Sequence, residues 1–354
     1  MLTHKFLGYR FRGIDLPITL SLKALNNYKD LTLRYINIEN SGQHNKLVIA
    51  EGPVPKCGDT QILVEVKATA VNRADLMQRY GKYPPPQGES DILGLEVAGE
   101  VIEAGAAVTQ FRPGDKVYGL VGSGAYAEFC IVEASLAHFI PDNWDYTLAA
   151  ALPEALTTVY ATLFDLGSLK EGQTLLIHGA GSGIASLAIQ MAKAHKAKVI
   201  TTVGNDQKIN KAMDLGADQI INYNENDFED LIEDHSIDLI IDFIGGDYFN
   251  KHLHLLKAQG KLIQIACLRG SSVDCNLALI MRKRLQIIGF VLRPQTLDEK
   301  SRIWKEAHIH WFDSLNNKQI KPVIDSVYKL GEIENAHAHM LDGTHFGKIV
   351  VTID

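Results

Sequence analysis

Between about residues 155 and 293 the chain alternates six apolar runs of strand length with helix-length stretches, and no other feature limits its fold so strongly. The runs are TLLIH (174–178), KVITTV (198–203), QIIN (219–222), DLIIDF (238–243), KLIQIA (261–266) and QIIGFVL (286–292). Segments such as ASLAIQMAKAHKA (185–197) and NDFEDLIEDH (226–235) lie between them and read as helices. Strands apolar on both faces must be covered on both faces, and crossover helices do this for a parallel sheet. The pattern therefore predicts a doubly wound α/β unit.

From about 34 to 154 the pattern changes to short β-like runs broken by turn clusters, as in QILVEVKATAV (61–71), EVAGEVIEAG (96–105), DKVYGL (115–120) and AYAEFCIV (125–132). This reads as a compact β-rich domain. YGKYPPPQG (80–88) is expected to be a stiff loop at the rim of a site, because each proline fixes φ and lacks an N–H. A helix over 299–317 and a closing strand GKIVVTI (347–353) could return to the β-rich domain. A length of 354 residues fits two or three domains and excludes a small binding module.

A formal charge of −7 argues against general attraction to nucleic acid or anionic membrane. The longest apolar stretches, such as IDLIIDFIG (237–245), fall short of the ~20 residues a spanning helix needs. Cys57, Cys130, Cys267 and Cys275 form no C-x-x-C, which points away from disulfides and thiolate zinc and toward a reducing, cytoplasmic setting. Residues 1–33 carry Lys5, Arg10, Arg12, Lys23 and Lys29 against Asp15 and Asp30, a basic extension expected to be disordered.

HGAGSGIAS (178–186) follows the first strand and opens the first helix, so Gly179, Gly181, Ser182, Gly183 and Ile184 are candidates to hold a dinucleotide pyrophosphate at the helix N-terminus. Its spacing is not G-x-G-x-x-G. Enzymes using NAD place Asp or Glu at the end of the second strand to meet the ribose 2′-OH. In KVITTVGNDQK (198–208) that place is Val203 or Gly204, which favours NADPH. Asp206 reads instead as the N-cap of the following helix.

NRADLMQR (72–79), ILGLEVAGEV (92–101), FRPGDKVYGL (111–120), AALPEALTTVYATL (150–163), LLIHGAGSG (175–183) and GKIVV (347–351) resemble the medium-chain dehydrogenase/reductase superfamily. Within it the chain is similar to zinc-independent NADPH:quinone oxidoreductases, nearest to the p53-inducible type. The resemblance covers the chain from about Arg34 onward. It implies a Rossmann domain (155–293) set into a β-rich GroES-like catalytic domain (34–154 and 294–354), with the active site between them and a homodimer formed through the sheet edge at QIIGFVL.

Where the family turn reads A-x-x-G-x-x-G, this chain has Gly179, Ser182 and Ala185. Where zinc-dependent members hold a Cys and a His ligand, it has Asn72 and Leu95, so metal-free hydride transfer is expected. The His pairs 252/254, 308/310 and 337/339 read as solvated rather than metal-binding. The resemblance implies that Asn72 and Tyr83 flank the substrate, that Thr157, Ile244, Gly245, Phe290 and Leu292 meet the nicotinamide end, that Lys208 and Tyr223 meet the 2′-phosphate, and that Lys348 of GKIVV contacts the cofactor. Asp75 and Glu96 read as structural. The expected substrate is a quinone or related conjugated carbonyl. An enoyl-thioester reductase of the same superfamily and a non-enzymatic NADPH-binding redox sensor remain alternatives.

Overall fold

The structure is a computed structural model describing residues 32–40 and 45–353. The N-terminal extension lies outside the described residues except for Thr32 and Leu33. Those two already belong to the first strand, where Leu33 is buried.

The strands of the N-terminal part are β1 (Thr32–Glu39), β2 (Lys46–Pro53), β3 (Gln61–Val71), β4 (Glu96–Ala104), β5 (Lys116–Leu120), β6 (Phe129–Glu133) and β7 (Ala137–Phe139). β8 (Thr174–Ile177), β9 (Lys198–Val203), β10 (Gln219–Asn222), β11 (Ile237–Asp242), β12 (Leu256–Gln264) and β13 (Gln286–Gly289) follow, then β14 (Ile324–Lys329) and β15 (Lys348–Thr352). β8 to β13 form one parallel sheet in the order β10-β9-β8-β11-β12-β13. Strand order reverses between β8 and β11, so a crevice opens at their carboxyl ends. All six expected strands are present.

The second sheet runs β14-β15-β3-β4-β5-β7, with β6 also on β3. β15 enters it antiparallel to β3, so the last residues of the chain complete the first domain. Among the described residues, no helix is long and apolar enough to cross a membrane.

The helix Pro153–Tyr160 joins the two sheets. Proline stands at its first turn, where no N–H is needed, and Leu156 and Val159 are buried in a core shared with Ala68 and Val350 of one sheet and Leu175 and Ile177 of the other. Each such large apolar side chain contributes roughly 1.5–3 kcal/mol on burial. The two sheets are thus packed through one core.

Three local expectations are corrected. The helix expected over 226–235 is only Phe228–Leu231, because Ile232 turns extended to bury its side chain. The run 125–132 is a strand only from Phe129; before that, Tyr126 bonds Leu93 and Ile36 through its backbone while its phenol reaches Asp75. The His pairs are not solvated: His252, His308 and His337 are buried, and His254 and His310 face solvent. Each pair lies on a helix, where a two-residue step turns about 200°, so one member faces inward.

Candidate active site

β8 ends at Ile177, and Gly179 turns the chain with φ +63°, a left-handed conformation that favours glycine. Ser182 then caps the helix Gly183–Ala194, its Oγ accepting from Ala185 N at 3.0 Å. Serine here supplies an N-cap, and the Gly183 and Ile184 N–H groups keep no intrahelical acceptor. A Cβ on Gly183 would overlap the Lys348 stem, so glycine is required for β15 to approach. Gly347 N bonds Gly181 O at 2.8 Å, tying the two domains together beside the turn. A turn without side chains, a helix N-terminus with open N–H groups and a switch-point crevice fit a dinucleotide pyrophosphate.

The end of β9 forms the next wall. Tyr223 Oη would lie 2.6 Å from a Cβ at Gly204, so the phenol packs directly on that glycine. Lys208 Nζ donates to Gly343 O at 2.7 Å, which leaves two of its three N–H groups for another acceptor. The N-cap expected of Asp206 is corrected: its side chain makes no cap bond and instead accepts from Asn222 Nδ2 at 2.9 Å. Asn205 Oδ1 takes the capping bond from Lys208 N at 3.1 Å. Asp206 is nonetheless held toward Asn222.

Across the crevice lies a buried polar cluster. Lys348 Nζ stands 2.5 Å from Glu96 Oε1 and 2.7 Å from Asn72 Oδ1, and Asn72 Nδ2 donates to Glu96 Oε1 at 2.8 Å. Glu96 Oε2 accepts from Glu154 N at 3.0 Å. The expected amide donor of Asn72 is therefore engaged within the protein, and Lys348 covers the turn with its stem while its ammonium serves Glu96. Both residues thus help to build the wall of the crevice. Asp75 accepts from Asn72 N and Gly94 N, and burial pushes its carboxyl up to about 6 against those bonds.

Tyr83 lies on the proline-rich loop, half-buried, and its ring faces Arg293 with the guanidinium 5.3 Å from the centroid. Arg293 also donates to Tyr83 O, Gly122 O and Gln78 Oε1, fixing the loop. Burial raises the Tyr83 pKa, so the phenol remains a donor. A cleft of about 1190 Å³ runs past Pro86, Gly122, Arg293 and Lys300. It adjoins a small cavity lined by Leu95, Glu154 and Leu292. Burial raises the Glu154 carboxyl to about 7; Lys348 opposes this and Glu96 and Asp75 add to it. Sequence reasoning missed Glu154, which sits inside AALPEALTTVYATL with no partner at a telling spacing, and Arg293, which lies outside every quoted motif.

Of the residues expected at the nicotinamide end, Leu292 lines that cavity, and Gly245 and Ile244 donate their N–H groups to Asp242. Thr157 is wholly buried with its hydroxyl bonded to Pro153 O at 2.6 Å, and Phe290 lies in the core. These two support the wall from behind.

The alcohol dehydrogenase GroES-like domain family matches residues 58–142, and the zinc-binding dehydrogenase family matches residues 183–308. The chain is 29% identical over 306 residues to a quinone oxidoreductase of Rattus norvegicus, covering 85% of this chain and 91% of that protein. The Escherichia coli quinone oxidoreductase structure complexed with NADPH superposes with a TM-score of 0.78 at 26% identity, over 90% of this chain and 99% of the other. The chain belongs to the medium-chain dehydrogenase/reductase superfamily, quinone-oxidoreductase type. A synaptic vesicle membrane protein VAT-1 homolog of Danio rerio is also 29% identical, over 330 residues, 87% of this chain and 67% of that protein.

As a medium-chain dehydrogenase/reductase, the protein is an oxidoreductase that takes a nicotinamide cofactor. The zinc-binding name of one matched family does not extend to the positions of the expected ligands. Asn72 is bonded to Lys348 and Glu96, and Leu95 is a buried apolar side chain. This medium-chain dehydrogenase/reductase thus places an ammonium, not a ligand set, against the buried Glu96 carboxylate.

Proposed function

We propose that the protein is an NADPH-dependent reductase of quinones or related conjugated carbonyls, working without a metal. The observation that carries this reading is a glycine turn and open helix N-terminus at the sheet's switch point, in a chain whose metal-ligand positions hold Asn72, bonded to Lys348 and Glu96, and the buried Leu95. The pyrophosphate would lie on the Gly183 and Ile184 N–H groups, and the 2′-phosphate between Lys208 and Tyr223. When bound, the reduced nicotinamide supplies a hydride. Quinones suit such a site because they accept electrons without Lewis-acid help. Turnover of a simple quinone with NADPH, undiminished by a chelator and without stoichiometric zinc on elemental analysis, is the expected result. Activity lost on chelation and restored by zinc overturns the metal-free reading.

The reduced substrate oxygen needs a proton, and two donors stand near the cleft: Glu154 lines the small cavity, and the Tyr83 ring faces Arg293 of the cleft wall. Tyr83 presents a phenol, and Glu154 keeps its carboxyl proton up to about pH 7. The protonated Glu154 is the active form, so kcat is present below about pH 7 and declines as pH rises through it. Glu154→Gln should lower kcat at pH 6 and remove the decline. Tyr83→Phe should lower kcat/KM about 2- to 12-fold, the worth of one neutral hydrogen bond, with NADPH affinity intact. An unaltered pH profile in Glu154→Gln assigns the titrating group elsewhere.

The homodimer is proposed on the edge of the parallel sheet. β13 is the edge strand, with Ile287 exposed on it and Val291 just after it, and the preceding helix Leu277–Lys283 exposes Leu277 and Met281 by 70% and 75%. An exposed apolar edge is a template for pairing with a second copy. Light scattering at micromolar concentration should give a dimer mass, and Ile287→Lys should shift it toward monomer; a wild-type monomer contradicts the proposal.

A further inference from the structure

Behind the glycine turn lies a chain of four buried polar side chains that no step above uses. Thr202 on β9, His178 just after β8, and Asp242 at the end of β11 come from three neighbouring strands, and His252 from the helix Tyr248–Leu255. None is more than 1% exposed. Gly179 N donates to Thr202 Oγ1 at 3.1 Å, and Thr202 Oγ1 lies 3.2 Å from His178 Nδ1. His178 Nε2 and His252 Nε2 are 2.8 Å apart, and His252 Nδ1 stands 3.4 Å from Asp242 Oδ2. Asp242 Oδ1 accepts from Ile244 N at 2.6 Å and Gly245 N at 3.1 Å.

One proton arrangement suits the three hydrogen bonds and aims His252 at Asp242, the longest contact of the series and one short of a hydrogen bond in the structure. Despite burial, His252 and the two N–H groups hold the Asp242 carboxyl below its usual range, so it accepts. His252 then directs Nδ1–H toward Asp242 and offers its Nε2 lone pair to His178 Nε2–H. His178, driven down to about 3 chiefly by burial, is neutral, and its Nδ1 accepts from the Thr202 hydroxyl. The Thr202 oxygen is thereby left to accept from Gly179 N. The rings of Phe228 and Tyr248 lie 4.8 and 5.0 Å from the His178 ring and help enclose the chain.

We propose that Thr202, His178, His252 and Asp242 act as one positioning unit, locking the glycine turn and the Ile244–Gly245 loop into the single relative placement that receives a dinucleotide. The two segments are already adjacent, since the Phe243 ring lies 3.3 Å from where a Gly179 Cβ would be. A dinucleotide along this crevice contacts both, so an error in their relative placement weakens binding of the whole molecule. The 2′-phosphate wall at Gly204, Lys208 and Tyr223 lies outside the chain. The inference rests on the cofactor reading above.

The test is titration of the purified protein with NADPH and, separately, with adenosine 2′-monophosphate, alongside thermal melts. Thr202→Val keeps the shape and removes the hydroxyl; it should lose about 3- to 12-fold in NADPH affinity and nothing for the mononucleotide. Thr202→Ser should restore wild-type binding. Thr202 and His252 communicate only through His178, so a Thr202→Val/His252→Leu double variant should lose less than the product of the single losses. Equal losses for both probes, no loss in Thr202→Val, or multiplicative losses overturn the proposal. If the double variant does not fold, the Val and Ser variants decide alone. Wild-type protein that binds no dinucleotide overturns the cofactor reading itself, a different outcome.

Discussion

Lys348→Ala should destabilise the folded protein by about 3–5 kcal/mol, read from urea denaturation at neutral pH. The ammonium is 4% exposed and lies 2.5 Å from a Glu96 carboxylate that is fully buried. Truncation leaves that carboxylate with only the Asn72 amide and Glu154 N–H, in surroundings too apolar to replace the lost charge. The same contacts join β15, β4, the turn before helix Arg73–Arg79 and the helix Pro153–Tyr160, so the loss reaches both domains. Lys348→Met keeps the stem beside Gly183 and should cost nearly as much, because the charge dominates. Lys348→Met with Glu96→Gln should recover much of the loss, since removing both partners of a buried pair costs far less than removing one. A Lys348→Ala cost under about 1 kcal/mol would place the pair among weak surface ion pairs and refute the argument.

Lys208→Ala should weaken NADPH binding about 10- to 150-fold while hardly changing NADH binding. The figure is the ~1.5–3 kcal/mol of a charge-assisted hydrogen bond to phosphate. Three observations support the selectivity. The end of β9 presents Gly204 with the Tyr223 phenol on it, Asp206 is turned to Asn222, and Lys208 reaches Gly343 O with two N–H groups left over. Equal losses for both nucleotides, or a wild-type preference for NADH, would return Asp206 to the role of ribose ligand.

The expectation for Asp206 illustrates where local reading fails. A carboxylate before a helix commonly caps it, but Asn222 from the neighbouring strand competes for the same oxygen and Asn205 takes the cap instead. Asn72 shows the same limit of local reading. Its amide is bonded to Glu96 and Lys348, partners 24 and 276 residues away in sequence that no local pattern points to. Ser182, by contrast, departs from the family glycine for a reason local enough to see in hindsight: it begins a helix, and serine caps helices well.

The six-stranded parallel sheet, the glycine turn at its first crossover and the return of the last strand to the β-rich domain were determined by the sequence alone. Apolar periodicity and glycine placement act over a few residues, and the backbone has few ways to answer them. Which polar groups meet was decided only by the tertiary structure. Arg293 reaches the Tyr83 loop across 210 residues, burial raises Glu154 to about 7 beside the Lys348–Glu96 cluster, and His178 finds His252 across 74. Such pairings carry no spacing signal, because each partner is chosen by the desolvation cost of leaving a buried polar group unpaired, and that cost exists only once the sheets have packed.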